Sequence, residues 1–596
     1  MAEPIDTPAR ASAPSAASTA SGSSMDGAAR RALPRWHSLG HSLGHYLAAA
    51  GLGALNTLSF APTPHGGWLA IAIFAVFYFG LARTTGWKGA LFTGWAFGFG
   101  NFVTGVWWLY VSMHVFGGMA APLAGGALVL FSIYLGLYPG LAGAVWSVCA
   151  GHARKRAGSF SPGWYGAFAF ASAWALGEWA RGYVFTGFPW LASGYSQVDG
   201  PLAGFAPLVG VYGVGWVLAL VAALIVQALV RAWDRRRAAA PNAAAGVAAS
   251  SSSAASSQTA GARASSRPVT LPAAAALAML VAGLLLPLVQ WTHPANTPLD
   301  VRLLQGNVPQ SMKFSESGTL AALAEFQKLI TEKPADLVVT PETAVPVLLQ
   351  EIPQPFGLAI RNFADATGTA ILFGAVGATV TPDNRYTDFT NSLFGITPGQ
   401  PGLYRYDKHH LVPFGEFIPL GFHWFMNLMH MPLGDFARGA PVQAPFVVHD
   451  QPVAVDVCYE DIFGEEIART VRDSATPPGI LINSTNLGWF GNTIALDQHL
   501  QMARMRTLET GRPMLRATNT GVTAAIDSHG RVIARLPVFT VGALDVRIEG
   551  TTGLTPYVRL GNTTVFVGSL LLLAFGIAGF TRRGKTGPGL KPPPIR

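Results

Sequence analysis

Long apolar runs, separated by short polar or basic connections, fill most of residues 45–291 and return near the end of the chain. Most of these runs approach the roughly 20 residues that an α-helix needs to cross a bilayer. The pattern therefore predicts eight membrane spans, near residues 45–61, 68–83, 89–110, 122–150, 163–181, 208–231, 271–291 and 564–582.

Basic residues mark every second connection, whereas the connections at 62–67 and 112–122 carry almost no charge. Positive connections are typical of the cytoplasmic side of a membrane. We therefore expect a multi-pass protein of a bacterial inner membrane, with both termini in the cytoplasm and residues 292–562 in the periplasm. The basic residues are Arg30, Arg31, Arg35, Arg83, Lys88, Arg154, Lys155, Arg156, Arg231, Arg235, Arg236, Arg237, Arg582, Arg583 and Lys585.

The segments outside the apolar runs divide into tails, a linker and one large polar domain. Residues 1–40 and 238–270 are rich in alanine and serine and have no periodicity, which predicts disorder. The predicted organisation is a cytoplasmic tail at 1–40, spans one to six within 41–237, a cytoplasmic linker at 238–270, span seven at 271–291, the polar domain at 292–562, span eight at 563–583 and a cytoplasmic tail at 584–596.

Short strand patterns and helical patterns alternate along the polar domain. This alternation is typical of an α/β domain whose helices cover the faces of sheets. Strands are predicted at 301–304, 337–340, 369–374, 392–396, 446–448, 453–457, 480–484, 514–518 and 522–526, and helices at 319–332, 355–367 and 493–509.

Composition agrees with a membrane protein, because half of the residues are hydrophobic and only 12% are charged. The formal net charge of +9 does not indicate a nucleic-acid partner, since lysine and arginine cluster at the ends of apolar runs. The two cysteines, Cys149 and Cys458, are too few for a disulfide framework or a cysteine-based zinc site. Cys149 lies in an apolar run, so Cys458 is the only thiol of the polar domain.

Three reactive residues follow strand patterns in the polar domain. Glu342 comes just after 337–340, Lys408 follows a Tyr-Arg-Tyr-Asp segment, and Cys458 follows the alternating valines of 453–457. Their separations allow each to come from a different strand of one sheet. A thiol at a strand-to-helix corner lies near the positive end of the helix dipole, which favours thiolate. Taken alone, a cysteine in this position is more typical of a small buried hydrophobe.

These three residue types together suit acyl transfer. A cysteine is a strong nucleophile, and a nearby carboxylate can take its proton as general base. The Lys408 ammonium would stabilise the thiolate and the oxyanion of a tetrahedral intermediate, with the backbone N–H of Tyr459 as a second donor.

Several motifs in order carry a resemblance to a known family. With the apolar runs, they resemble the apolipoprotein N-acyltransferase family within the nitrilase (carbon–nitrogen hydrolase) superfamily. The motifs are Gln305-Gly-Asn-Val-Pro-Gln310, Thr340-Pro-Glu342-Thr, Asp407-Lys408-His-His-Leu-Val-Pro-Phe-Gly415-Glu416, Val457-Cys458-Tyr459-Glu460, Asn486-Leu-Gly-Trp489-Phe490-Gly491 and His499-Leu-Gln-Met-Ala-Arg-Met-Arg506.

The resemblance implies an αββα sandwich beside a polytopic helical domain of about eight spans. It implies a ping-pong acyltransferase with Glu342 as general base, Lys408 as stabilising cation and Cys458 as nucleophile. The acyl donor would be a membrane phospholipid, and the acceptor the α-amino group of a lipoprotein's diacylglyceryl-cysteine. Glu416, Tyr459 and Glu460 would have supporting roles. Neither a metal ion nor a cofactor is implied.

Two departures from the family pattern concern substrate placement. Phe314 stands where the family often has tryptophan, and Leu487-Gly488 stands where it often has Asp-Ala. An unusually apolar segment after Lys408 further predicts a lid that dips into lipid. Its residues are Phe414, Phe417, Phe422, Trp424, Phe425, Met426, Leu428, Met429 and Met431, and Phe314, Trp489 and Phe490 join Phe414, Phe417 and Trp424 as substrate-binding candidates.

Other functions compete with this interpretation. The three reactive residues also fit a membrane-anchored amidase or nitrilase acting on a small C–N substrate. A channel or scaffold would have no use for them. A Cys–His hydrolase could use His409 or His410, whereas zinc binding by His409, His410 and His423 lacks the usual ligand spacing.

Overall fold

A computed structural model describes residues 35–157, 163–245, 270–313, 315–419, 421–422 and 435–584. Most of the two tails and of the predicted linker lies outside these ranges, as do the candidates Phe314 and Trp424. Their predicted roles, and the disorder of the tails and linker, therefore stay predictions.

Each predicted apolar run coincides with a helix among the described residues. The runs contain few polar positions, so the helices have no distinct polar face, as expected for helices in a bilayer or a packed bundle. The helices are α1 (Arg35–Asn56), α2 (Gly66–Ala82), α3 (Gly86–Gly105), α4 (Trp108–Val111), α5 (Ala121–Ala157), α6 (Gly163–Arg181), α7 (Ala206–Ala245) and α8 (Thr270–Leu285), with a C-terminal helix at Thr563–Gly584.

Three of these segments, Ala121–Ala150, Ala203–Arg237 and Thr270–Leu288, are long and apolar enough to cross a membrane by themselves. The helices Gly66–Ala82 and Thr563–Phe575 are apolar but shorter. These helices fit a membrane protein, while the total of eight spans stays a prediction. Helix α7 continues into the predicted linker as far as Ala245.

The polar domain contains two stacked mixed sheets. The first has the order β14-β2-β3-β5-β6-β7, with β4 beside β5, and the second has the order β13-β12-β11-β10-β9-β8. The strands are β1 (His293–Pro294), β2 (Leu299–Gln305), β3 (Leu337–Val339), β4 (Val345–Leu348), β5 (Ala370–Val380), β6 (Tyr386–Ile396), β7 (Leu403–Asp407), β8 (Phe446–Val448), β9 (Gln451–Val457), β10 (Ile480–Thr485), β11 (Met514–Thr518), β12 (Ala524–Ile526), β13 (Val532–Arg535), β14 (Gly542–Ile548) and β15 (Thr551–Thr552).

Alternation along the central strands separates two apolar layers. In β9, Val453, Val455 and Val457 face the core between the sheets, whereas Ala454 belongs to the layer under the outer helices. Leu303 and Leu372 of the first sheet line the same central core. The alternating valines therefore tie β9 to the opposite sheet, as their period of two predicts.

Helices cover the outer face of each sheet. Phe326 and Ile360, on α9 (Glu316–Thr331) and α10 (Gln354–Thr367), pack on the first sheet. Ile467 and Ala503, on α11 (Gly464–Asp473) and α12 (Ala495–Thr510), pack on the second. The predicted αββα sandwich is confirmed. A short helix, α13 (Pro556–Leu560), then leads to the C-terminal helix.

Sequence patterns located most of these elements but not all of their details. The strands predicted at 446–448 and 453–457 pair as a hairpin, in which Val448 pairs with Gln451 and the turn is His449-Asp450. Strand β14 was not predicted, although Leu544, Val546 and Ile548 alternate with polar residues as is typical of a half-buried strand. It nevertheless pairs along all of β2 and completes the first sheet.

Candidate active site

Three strand ends bring the predicted reactive residues together, but they come from two sheets. Glu342 follows β3 and Lys408 follows β7, both in the first sheet, whereas Cys458 follows β9 in the second. The expectation of one sheet was wrong, because β9 pairs with β8 and β10 instead. Stacking of the sheets closes the distance between the two groups of strand ends.

Lys408 lies between two carboxylates and is fully buried. Its Nζ is 2.9 Å from Glu416 Oε1 and 3.4 Å from Glu342 Oε1. The Asn391 side-chain amide donates to both carboxylates, at 2.7 Å to Glu342 and 2.6 Å to Glu416. A buried ammonium is stable only with such partners. The predicted supporting residue Glu416 therefore contacts the lysine directly.

Glu342 is held as a carboxylate. Burial by itself would raise the pKa of Glu342, but the charges of Lys408 and Lys313 together with hydrogen bonds lower it below its ordinary value. One of these bonds comes from the backbone N–H of Asn486, 2.8 Å from Oε2. The group is therefore ionised at neutral pH and able to accept a proton.

Cys458 opens a 3₁₀-helix, Cys458–Ile462, in a left-handed conformation with φ of 53°. Its surface is partly exposed, as a nucleophile that meets a substrate requires. Burial of the sulfur raises the pKa of the Cys458 thiol, and the Glu342 charge raises it further. The Lys408 charge opposes both effects. The expectation of a thiolate favoured by a helix dipole was wrong. The resting sulfur is a thiol that depends on a base.

Glu460 links the segment that carries the lysine to the strand that carries the cysteine. Its Oε1 accepts the backbone N–H groups of His409 at 2.7 Å and His410 at 3.0 Å. Its Oε2 accepts the N–H of Val457 at 2.7 Å and the hydroxyl of Tyr406 at 2.9 Å. All four partners adjoin reactive residues, so this carboxylate fixes the geometry of the site.

Replacing Glu460 by glutamine tests that role. The NH₂ group of glutamine would replace one of the two carboxylate oxygens. It would then face either the N–H groups of His409 and His410 or the donors of Val457 and Tyr406. Because NH₂ cannot accept a hydrogen bond, two hydrogen bonds would be lost. We expect the acyl-transfer rate to fall about 100-fold, since small misplacements of reacting groups cost that much. The matched change Glu351→Gln, at an exposed position, should leave the rate unaltered. If the Glu460→Gln variant transfers acyl chains at nearly the wild-type rate, the role assigned to Glu460 is contradicted.

The polar domain meets the apolar helices close to this site. The Tyr459 hydroxyl donates to the carbonyl of Gly187 at 3.0 Å, and Trp190 Nε1 donates to Gln498 Oε1 at 2.7 Å. Arg181, at the end of α6, donates to the carbonyls of Phe188 and Trp190. The loop after α6 is therefore fixed between the bundle and the residue that follows the nucleophile.

Aromatic candidates for substrate binding also lie against the membrane helices. The Phe490 ring centroid is 4.4 Å from that of Trp108, and Trp489 lies 6.5 Å from Phe116. Phe414 packs against a small cluster that contains Met119. Phe417 instead lies under the Arg438 guanidinium, 5.0 Å from its ring centroid. Three of the four described candidates thus contact residues of the helical part of the chain.

The histidines predicted as alternative chemical groups are held by other partners. His409 Nδ1 lies 2.8 Å from the carbonyl of Gly439. His410 Nδ1 lies 2.8 Å from Glu466 Oε1, and its Nε2 lies 3.0 Å from the carbonyl of Thr186. These contacts give the two rings structural roles. His423 lies outside the described residues.

Sequence reasoning missed two polar residues of the site, Asn391 and Lys313. Asn391 lies in β6, where its amide bridges Glu342 and Glu416. Lys313 Nζ donates to the backbone carbonyl of Glu342 at 3.1 Å. Lys313 stands next to Phe314, the position at which the chain departs from the family pattern, so that adjacency was an available signal. Asn391 gave none, because asparagine at a strand position has no distinctive spacing.

The departure at Leu487 has a structural explanation. Leu487 is fully buried in the apolar layer under the helices of the second sheet, where Val522 also lies. Its side chain contributes to packing rather than to the polar contacts of the site. Gly488, the second residue of the departure, lies in a short 3₁₀-helix with the two aromatic candidates, Gly488–Phe490.

Known families match both parts of the chain. The model of the apolipoprotein N-acyltransferase N-terminal domain matches residues 52–224, and the carbon–nitrogen hydrolase model matches residues 300–557. The αββα sandwich with its Glu, Lys and Cys strand ends therefore defines a carbon–nitrogen hydrolase domain, here joined to membrane helices.

Relatives that match along most of their length show which family of carbon–nitrogen hydrolase proteins is involved. The chain is 48% identical to the apolipoprotein N-acyltransferase of Ralstonia nicotianae, over 90% of this chain and 94% of that protein. It is 41% identical to that of Bordetella bronchiseptica, over 89% and 95% of the two chains. It is 40% identical to that of Nitrosomonas europaea, over 91% and 98%. The chain belongs to the apolipoprotein N-acyltransferase family.

Proposed function

We propose that this protein moves an acyl chain from a membrane phospholipid to the α-amino group of a lipoprotein's N-terminal diacylglyceryl-cysteine, through a thioester on Cys458. Family membership supports the overall reaction. The observation that carries the route is the convergence of an ionised carboxylate, a buried ammonium and a protonated thiol beside membrane helices. These are the groups that a two-step acyl transfer needs.

In the first half-reaction Glu342 takes the proton of the Cys458 thiol as the sulfur attacks the ester carbonyl of the phospholipid. A C–S bond forms, and negative charge moves to the carbonyl oxygen, where the Lys408 ammonium and the Tyr459 N–H stabilise it. The ester C–O bond then breaks. The departing lysophospholipid oxygen takes the proton back from Glu342, so the carboxylate is regenerated.

In the second half-reaction the neutral α-amine of the acceptor attacks the thioester carbonyl. Glu342 accepts a proton from the nitrogen, the C–S bond breaks, and the same proton returns to the departing sulfur. An amide and a free thiol result. A thioester retains the reactivity of the acyl group, so neither half-reaction needs an external energy source.

Both substrates are lipids, which accounts for the placement of the site. Trp108, Trp190 and Phe490 form an aromatic cluster between the membrane helices and the catalytic domain. We propose that acyl chains reach Cys458 along this side of the site. The distribution of basic residues supports a periplasmic orientation of the catalytic domain, with both termini cytoplasmic.

Mass spectrometry of the protein purified in phospholipid tests the proposal. We expect an added acyl mass on the peptide that contains Cys458, removed by hydroxylamine, as a thioester requires. Glu342→Gln and Lys408→Ala should lack this mass. If the wild type carries no acyl group and instead cleaves small amides, the proposal is contradicted. The chain would then be a membrane-anchored amidase.

A further inference from the structure

Lys313 is a second buried lysine beside the three reactive residues. It lies between β2 and α9, its side chain is only 4% exposed, and its Nζ donates to the backbone carbonyl of Glu342 at 3.1 Å. A buried ammonium is costly unless nearby groups compensate its charge. Among the described residues, the charges that favour its protonated form are those of Glu342 and of the Cys458 sulfur when ionised.

The charges around Glu342 balance only when Lys313 is included. The groups that face Glu342 are the ammonium groups of Lys408 and Lys313, the Cys458 sulfur, and Glu416 across the shared amide of Asn391. Lys408 lies nearer to Glu416 than to Glu342. One ammonium between two carboxylates would leave the site with a net negative charge, which would oppose the formation of another anion on sulfur.

We propose that Lys313 is a positioning residue for the reaction, whose ammonium keeps Glu342 ionised and supports the negative charge that passes to Cys458 and then to the oxyanion. This inference rests on the proposed function. Lys313 forms no bond to the substrate in this scheme and acts through Glu342. When the thiol proton moves to Glu342, the negative charge moves to sulfur, and the Lys313 field stabilises it in both places.

The protonation state of Lys313 predicts a distinctive pH dependence of the acylation rate. Burial lowers the pKa of Lys313 to about 8, although Glu342 and Cys458 oppose the decrease. The lysine is therefore positively charged at neutral pH and loses its charge in mildly alkaline solution. A rate that depends on this charge should decline near pH 8. Arginine stays protonated in this range, so Lys313→Arg should remove that decline.

Single-turnover acylation of Cys458 in nanodiscs of labelled phosphatidylethanolamine, followed from pH 5 to pH 9, tests the inference. For Lys313→Met we expect the acid side of the profile to shift upward by about one unit, because Glu342 loses a stabilising charge. The loss should be about tenfold greater at pH 5 than at pH 8. The exposed control Lys328→Met should keep the wild-type profile. An equal loss at every pH, or none, would overturn the inference.

Alkylation of Cys458 by iodoacetamide separates this inference from the proposed function, since it requires no lipid. Lys313→Met should slow alkylation at neutral pH several-fold, and Lys313→Arg should restore it. Unaltered alkylation would overturn the role of Lys313 even if lipid acylation proceeds. A slowed reaction in a protein that never accepts an acyl chain would refute only the proposed function. If Lys313→Met does not fold, Lys313→Gln removes the same charge with a polar side chain.

Discussion

Cys458→Ser abolishes acyl transfer, with an expected loss of at least about 1,000-fold in turnover. The serine hydroxyl is a far weaker acid than the thiol, so Glu342 cannot deprotonate it as readily. Any ester that forms would also resist attack by an amine, unlike a thioester. Transfer of a labelled acyl chain from phospholipid to a synthetic diacylglyceryl-cysteine peptide measures the effect.

The other cysteine provides the matched control. Cys149 is buried in α5, away from the strand ends of the catalytic domain. Cys149→Ser changes the same atom and should retain transfer, while both variants should be recovered in folded form. Normal turnover by Cys458→Ser would exclude a thioester on this residue as a required intermediate.

Lys408→Met has the second largest expected effect. It removes one of the two cations that lower the pKa of Glu342, and leaves Asn391 as the only group bonded to both Glu342 and Glu416. The pKa of Glu342 would rise, and the oxyanion would lose a donor worth about 3–4 kcal/mol. We expect turnover to fall at least about 1,000-fold, with at most partial recovery at high pH because the oxyanion donor stays absent.

Stability should change as well, because an uncompensated buried charge costs about 3–5 kcal/mol. Removing one carboxylate together with the lysine, in Lys408→Met/Glu416→Gln, should recover stability in thermal unfolding but not turnover. Lys333→Met breaks the exposed ion pair with Asp545 and should alter neither property appreciably. Recovery of turnover in the double variant would show that Lys408 is structural.

The pH dependence of stability follows from the same contacts. The folded-state pKa of Glu342 lies below its ordinary value. Its stabilising contribution is therefore present above the ordinary carboxylate pKa and is lost as pH falls through the lowered value. In Lys408→Met this contribution should disappear at a higher pH than in the wild type.

Local patterns predicted the parts of the fold that depend on local chemistry. The alternating valines of 453–457 identified a strand with one face in the core, and that face is now seen between the sheets. Assignment of β9 to the second sheet could not be predicted. It depends on pairing with β8 and β10, which involves residues on both sides of the strand in sequence.

The positions of the reactive residues could be predicted from the sequence, but the pKa shifts of their side chains could not. Glu342, Lys408 and Cys458 stand at strand ends, where chemistry is common. The thiolate expected at Cys458 fails because burial and the Glu342 charge raise the pKa of the thiol. Lys313 and Asn391 reach the site only through the folded chain. Their contacts could therefore not be predicted from the sequence, although Lys313 stands beside Phe314.

The central claim is that one sulfur holds the acyl chain between donor and acceptor. A pulse–chase experiment tests it most directly: load the protein from phospholipid with a ¹³C-labelled acyl chain, remove the lipid, and add the diacylglyceryl-cysteine peptide. We predict that label leaves Cys458 and appears in equal amount as an amide on the peptide, at least as fast as steady-state turnover. Acylation of the peptide while the label stays on Cys458 would contradict the account.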